Sequence, residues 1–254
     1  MPHIVAPTIL QSLPLFTDLT DQDRDRLIRG GKMRRYASGE NVFVFGETIR
    51  NFYVVCEGAI QLFRDTPDGH EMTTEVYIAG DTIGEIEILR LSTTHHFNAL
   101  AIKASLLAEF PLNWLKESIK ENGVLALNLL AMLSRRSHIA TLEAEHKATM
   151  SAPQQVACFL ERLCILHDFN PDGFDLPYSK TLIASRLGME LETFSRALAK
   201  IRNHGITVQG THVTFHDIQE MEGFICGNCS IAGKCDEHNL LKQKLRKNPV
   251  ANVR

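Results

Sequence analysis

Residues 179–203 run SKTLIASRLGMELETFSRALAKIRN, and the fold is decided there. Ser179 is a strong helix N-cap, because its hydroxyl can accept from amides of the first turn. Ile183 and Leu187 stand four apart and share the buried stripe of the helix that follows. Gly188 supplies the tight turn, since glycine enters left-handed backbone without steric cost. A second helix is expected from about Leu191 to Asn203, with Phe194, Leu198 and Ile201 facing inward. Two short helices joined through a glycine turn form a unit that can present one helix to DNA.

The outward face of that second helix carries Glu192, Ser195, Arg196 and Lys200, all projecting from one side. Arg can grip guanine with two bonds, Glu can accept from cytosine, and Ser suits several base edges. Lys180, at the start of the preceding helix, joins them as a phosphate contact. Ile206-Thr207-Val208, Gln209-Gly210 and His212-Val213-Thr214-Phe215 then alternate around a glycine turn, as a wing would. A solvated face with an i,i+4 Glu192–Arg196 pair is the competing reading. Helix, turn, helix and hairpin arriving in order favour double-stranded DNA.

Charge follows the same geography. The formal net charge is −3, yet residues 179–204 carry +3, residues 234–254 carry +4, and the remainder holds −10. A basic C-terminal third on an acidic body suits phosphates. The N-terminal half has another texture. Val42–Phe45, Phe52–Val55, Ala59–Phe63 and Leu106–Phe110 are short β-branched and aromatic runs, separated by Gly39, Gly46, Gly58, Pro67-Asp68-Gly69 and Gly80. They predict an antiparallel sandwich or jelly roll. Residues 9–36 suggest short helices, one beginning near Thr20-Asp21 with Leu27 and Ile28 on its apolar side.

From about Asn113 to Met150 the period lengthens, and Leu125, Leu129, Met132, Ile139 and Glu143 recur at helical spacing. One long helix with an apolar seam, paired with a copy of itself, is the expectation. Ser151-Ala152-Pro153 ends it. No apolar run approaches the ~20 residues of a membrane span, and the N-terminus lacks a signal-peptide pattern, so a cytoplasmic protein is expected.

Six cysteines are present. Cys56, Cys158 and Cys164 fall among apolar neighbours and are expected as core residues. Cys226, Cys229 and Cys235 put three thiols into ten residues, with glycines that let the backbone wrap. Soft thiolates select iron–sulfur clusters or zinc. With His238 the spacing is C-x2-C-x5-C-x2-H, which could close a zinc site. Plain redox thiols are the third option. Cys226-x-x-Cys229 does not open a helix after a strand, so a thiol redox enzyme is disfavoured, and no catalytic constellation stands out.

The chain resembles the CRP/FNR family of dimeric regulators over nearly its whole length. The likeness rests on Ser38-Gly39-Glu40, Tyr53 through Gly58, Gly80-Asp81-Thr82-Ile83-Gly84-Glu85 and, most tellingly, Glu192-Thr193-Phe194-Ser195-Arg196. It implies an α+β chain: a cyclic-nucleotide-binding-like β-roll over residues 1–112, with an effector pocket at Gly84 and Glu85, then a dimerisation helix at 113–150. A winged helix-turn-helix at 151–222 and a cysteine-containing tail at 223–254 complete it. The E-x-x-S-R helix resembles the FNR branch and implies a homodimer on a TTGAT-type palindrome, with RNA polymerase as partner. Cyclic nucleotide is doubtful, because Phe97-Asn98-Ala99 stands where binding members carry Arg-Ser/Thr-Ala. The three late cysteines look like the Gram-positive FNR arrangement, which implies a [4Fe–4S] cluster sensing oxygen or nitric oxide. Its fourth ligand would be Glu143 or Glu145, with His146 a further candidate. Haem held by His70, His95 or His96 is the analogous alternative from nitric-oxide-responsive relatives, although isolated histidines of this kind are more often simply solvated.

Overall fold

The computed structural model describes residues 8–247 except Asp68, His70, Arg90, Leu91, Ser92, Asn228 and Gly233, and the side chains of Ile218, Asp236, Glu237 and residues 244–247 are likewise outside the description. The basic residues of 244–254 counted above, and His70, therefore lie outside it. The chain divides into two units, Met1–Ile139 and Ala140–Arg254.

The first unit opens with 3-10 turns at Thr8–Leu10 and Pro14–Phe16, then α1 (Asp21–Gly30), whose cap Thr20 accepts from the Asp23 amide at 3.1 Å. Eight strands follow: β1 (Lys32–Tyr36), β2 (Asn41–Phe43), β3 (Asn51–Glu57), β4 (Ala59–Asp65), β5 (Glu71–Ile78), β6 (Thr82–Ile83), β7 (Asn98–Ala101) and β8 (Ser105–Pro111). A short helix, α2 (Glu85–Leu89), sits between β6 and β7. They form two antiparallel four-stranded sheets, ordered β1-β8-β3-β6 and β2-β7-β4-β5. The expected jelly roll is there.

Between the sheets lie Tyr36, Phe43, Val55, Ile60, Ala99 and Leu107, all buried. Residues 32–36, KMRRY, fall within the stretch expected as helix but form strand β1. Paired only with β8, it is an edge strand, where exposed cationic side chains guard open amides and carbonyls.

The expected single helix from 113 to 150 is two. α3 (Leu112–Glu121) stops at Asn122, which takes extended backbone, and α4 (Gly123–Thr149) starts anew with the Asn122 Oδ1 accepting from Leu125 N at 3.1 Å. Asparagine prefers such capping to continuing a helix. The expected seam also turns inward. Leu125 and Leu129 are buried in a core with Phe16, Phe52, Phe110 and Leu115, and Met132 packs on it. Val124, Leu127 and Leu130 face out instead, Leu127 at 67% and Leu130 at 55% exposure.

The second unit is built on α5 (Ala152–Leu166), started by Ser151 and Gln154, with the Ser151 amide donating to Gln154 Oε1 at 2.9 Å. It continues through β9 (Phe174–Asp175), α6 (Lys180–Leu187), α7 (Leu191–Ile201), β10 (Ile206–Gln209), β11 (His212–Phe215), α8 (Ile218–Cys226) and α9 (Asp236–Lys247). The segment after the wing, expected as a tail, is therefore largely helical. Helices α8 and α9 pack on α5, and Met221, Ile225 and Leu241 are buried there. No helix among the described residues is long and apolar enough to cross a membrane.

Candidate nucleic-acid interface and thiol cluster

The helix-turn-helix forms for the reasons its sequence gives. Ser179 Oγ accepts from the Leu182 amide at 3.3 Å, and Gly188 ends α6 at φ +67°, in the left-handed region. Helix α7 buries Phe194, Ala197 and Ile201. Leu198, expected inward, is only half-buried, and the smaller Ala197 takes the buried position. Glu192, Ser195, Arg196 and Lys200 are all exposed, and Lys180 is half-buried at the start of α6. Arg196 Nη1 lies 3.2 Å from Glu192 Oε1. Such an exposed pair is worth about 0.3–0.5 kcal/mol, whereas a bidentate base contact carries about 1–3 kcal/mol. The pair therefore holds Arg196 ready without competing seriously for it. Strands β10 and β11 pair from Ile206↔Phe215 to Gln209↔His212, turned by Gly210 at φ +59°. β9 adds a third strand to the wing.

Beneath this reading head lies an ion cluster. Glu143, in the last part of α4, is 2.9 Å from Arg162 Nη2 on α5 and 2.9 Å from Arg186 Nη2 on α6. Burial pulls against its ionisation, but the two guanidiniums win and hold the carboxyl below its ordinary range. Three elements are thus tied through one carboxylate. Its oxygens are committed to arginines.

The cysteine loop meets the same stretch of α4. Glu145 accepts from both the amide and the hydroxyl of Ser230, each at 2.7 Å, and these bonds lower its pKa. His146 is buried, with Nε2 3.6 Å from Cys229 Sγ and Nδ1 3.7 Å from Cys158 Sγ. Burial and the nearby Arg162 favour its neutral form. Cys226 Sγ lies 3.8 Å from Nδ1 of His238, itself buried and 3.0 Å from Glu161 Oε1. Burial alone would lower the His238 pKa, but Cys226 and Glu161 push it up to about 10. Its Nε2 finds no hydrogen-bond partner among the described residues. Burial raises the thiols of Cys158 and Cys229 above their ordinary range, with smaller contributions from Cys235 and Cys229 to the first and from Cys226 to the second. So the three late thiols share a neighbourhood with Cys158, His146, His238 and Glu145. Among the described residues no three His, Cys, Asp or Glu side chains surround one point that a single metal ion could occupy.

Chemically, four thiols and an imidazole make a soft donor set, and a buried orphan nitrogen lies beside it. That composition fits an iron–sulfur centre. Zinc held by Cys226, Cys229, Cys235 and His238 would draw on the same stretch of chain.

In the β-roll, a cavity of about 170 Å³ lies between β5, β6, α2 and α4 and is lined by Tyr77, Gly84, Glu85, Phe97 and Arg136 among others. Gly84 turns at φ +110° where its missing Cβ would meet Phe52 Cα at 3.4 Å. Glu85 is buried, which raises its pKa against the opposing pull of Arg136 and Thr82. Arg136 Nη1 reaches Glu85 at 3.0 Å, and its other nitrogen bonds the Tyr77 hydroxyl. A cation does enter the pocket, but it comes from α4 and is already paired. Phe97 instead lies under the Arg64 guanidinium, 4.2 Å from ring centroid to Cζ. His95, expected as an isolated solvated side chain, is buried and stacked on Phe43 at 3.7 Å. His96 is half-buried.

Sequence reasoning missed Arg136, Arg162, Arg186 and Cys158. The arginines sit at helical positions that any solvated face would also use. Cys158 is flanked by Val156, Ala157, Phe159 and Leu160, which mark a core helix and nothing more.

Residues 33–122 match the family described as cyclic nucleotide-binding domain, and residues 154–224 match the Crp-like helix-turn-helix domain. Nitrogen fixation regulation protein FixK of Bradyrhizobium diazoefficiens is 34% identical over 184 residues, covering 69% of this chain and 73% of that protein. An anaerobic regulatory protein of Haemophilus influenzae is 24% identical over 205 residues, covering 79% of each. The solved structure of FixK2 from Bradyrhizobium japonicum superposes with a TM-score of 0.66 at 23% identity, over 76% of this chain and 96% of that one.

Proposed function

Since the chain belongs to the CRP/FNR family of DNA-binding transcription regulators, we propose that it reads TTGAT-type palindromes as a cytoplasmic homodimer and senses oxygen, nitric oxide or redox state through an iron–sulfur cluster. The observation that carries the reading of bases is the exposed face of α7, where Glu192, Ser195 and Arg196 stand together and free of the core. Arg196 would take a guanine edge, Glu192 a cytosine amine, and Lys180 and Lys200 the phosphates. A second copy would cover Val124, Leu127 and Leu130, which α4 leaves outward. RNA polymerase is the partner such a regulator implies.

For sensing, the support is the contact of Cys229 and Ser230 with the end of α4, with Cys226 and Cys235 in the same short loop, together with the likeness to a protein named an anaerobic regulatory protein. A bound cluster would supply a centre that oxygen or nitric oxide can attack. Glu145 positions that centre by gripping Ser230, so the loop stays on α4. His146 keeps a neutral ring between Cys229 and Cys158, and Glu161 holds His238 beside Cys226. The signal works only through a difference in affinity between the two states of the protein. Cyclic nucleotide is not the proposed effector, because the cavity's guanidinium is spent on Glu85 and Tyr77.

Gel-shift titration of air-free protein against a TTGAT palindrome tests both halves. Specific affinity should fall steeply with salt, as phosphate contacts release counterions, and should fall on exposure to air. Arg196→Ala should weaken specific binding by about 5- to 150-fold, the equivalent of one bidentate contact, with unchanged circular dichroism. Unaltered affinity and base preference in that variant would sink the proposal.

A further inference from the structure

We infer that Cys158 is the fourth thiolate of the centre formed by Cys226, Cys229 and Cys235. This rests on the cluster reading above and goes beyond it by assigning the remaining ligand to α5 rather than to α4. For that place the sequence offered Glu143 or Glu145, with His146 and His238 as further candidates, and the structure shows both carboxylates engaged. Glu143 is gripped by Arg162 and Arg186, and Glu145 spends both oxygens on Ser230.

Among the described residues Cys158 Sγ makes no such bond to the backbone and meets His146 instead. Its sulfur lies 3.7 Å from Nδ1 of His146, whose Nε2 lies 3.6 Å from Cys229 Sγ, so one imidazole touches both sulfurs. The contrast with the other early cysteines is plain. Cys164 Sγ donates to the Phe169 carbonyl at 3.4 Å and Cys56 Sγ to the Val54 carbonyl at 3.8 Å, as core thiols do.

Four thiolates are the usual complement of a [4Fe–4S] centre, and iron prefers a soft sulfur to an oxygen already hydrogen-bonded elsewhere. On ligation each thiol gives its proton to solvent and its sulfur lone pair to iron, with no change of oxidation state. The assignment has a functional consequence. Helix α5 packs directly along the recognition helix α7, so a centre anchored at Cys158 would stitch the α8–α9 loop to the support of the reading head. Loss of the centre would then be felt inside the DNA-binding unit itself, without passing through the β-roll.

The test uses full-length protein purified without air, with iron, acid-labile sulfide, visible absorbance and electron paramagnetic resonance measured on each variant. Wild type should hold about four irons and four sulfides per chain. Cys158→Ala should fall to three irons or fewer and show the resonance of a three-iron centre or no centre, while Cys164→Ala keeps all four. If Cys158→Ala loses its helical circular dichroism, Cys158→Ser, which keeps the size and polarity, is read in its place. Four irons retained in the Cys158 variants overturn the assignment, and so does equal loss from Cys164→Ala. Retention in Cys158→Ala with loss in His146→Ala hands the place to the imidazole. Wild type free of iron and sulfide overturns the underlying cluster reading, and Cys158 falls with it.

Discussion

Replacing Glu143 with glutamine keeps the side chain's shape and one acceptor oxygen, but it removes the negative charge that Arg162 and Arg186 share. The side chains involved are 22%, 11% and 9% exposed, so solvent screens them only in part. Removing one partner of a buried pair costs about 3–5 kcal/mol. The residual exposure of the carboxylate argues for the lower end, about 3 kcal/mol. The second unit comprises the 115 residues from Ala140 to Arg254. At roughly 2.1 cal/mol/K per residue its unfolding entropy is about 240 cal/mol/K, and 3 kcal/mol becomes a drop of about 12 °C in Tm.

Calorimetry of the full chain is the right assay. The single tryptophan, Trp114, lies in the first unit, and its fluorescence would follow the wrong transition. The pH dependence has a definite sign. The carboxyl's folded pKa lies below its unfolded value, so its contribution is complete above the unfolded pKa. It disappears as pH falls through the folded one. The gap between wild type and Glu143→Gln should thus be full at pH 7 and narrow only in strong acid. A second-unit Tm within 3 °C of wild type at pH 7 would refute the clamp.

Gly188→Ala should cost about 1–2 kcal/mol through left-handed backbone alone, since no atom lies within 4 Å of the added Cβ. Calorimetry should show a lower second transition, while the first stays put. Burial holds the native His95 pKa at about 4 against an ordinary 6.5, so stability should be lost as pH falls from 6.5 towards 4. By pH 5 the loss is about 2 kcal/mol. His95→Phe, which can still stack on Phe43, should remove that slope from urea unfolding of the first unit. An identical slope in the variant would show that another group titrates there.

Much of this molecule was legible because local rules agreed with the final fold. Ser179, Gly188, Phe194 and Ile201 specify the helix-turn-helix by capping, turn geometry and 3.6-residue spacing, and the structure repeats them. The strands around Phe52, Ile60 and Leu107 announced themselves by β-branched and aromatic runs set between glycines. β1 did not, because an edge strand bears the charges that also mark a helix surface. The apolar side chains of α4 were visible, but their direction was not. A helix shows which residues share a face, never which neighbour that face will meet.

The sequence alone determined the order of elements, the turn at Gly188, the set of side chains α7 could offer to a base, and three of the thiols. Tertiary structure decided what those groups face. It committed Glu143 to two arginines, paired Arg136 with Glu85 in the β-roll cavity, and set Cys158 against His146, whose other ring nitrogen faces Cys229. The physical reason is range. Capping, turns and periodicity act within a few residues of chain, whereas charge pairing and metal ligation depend on distances through space that only packing sets.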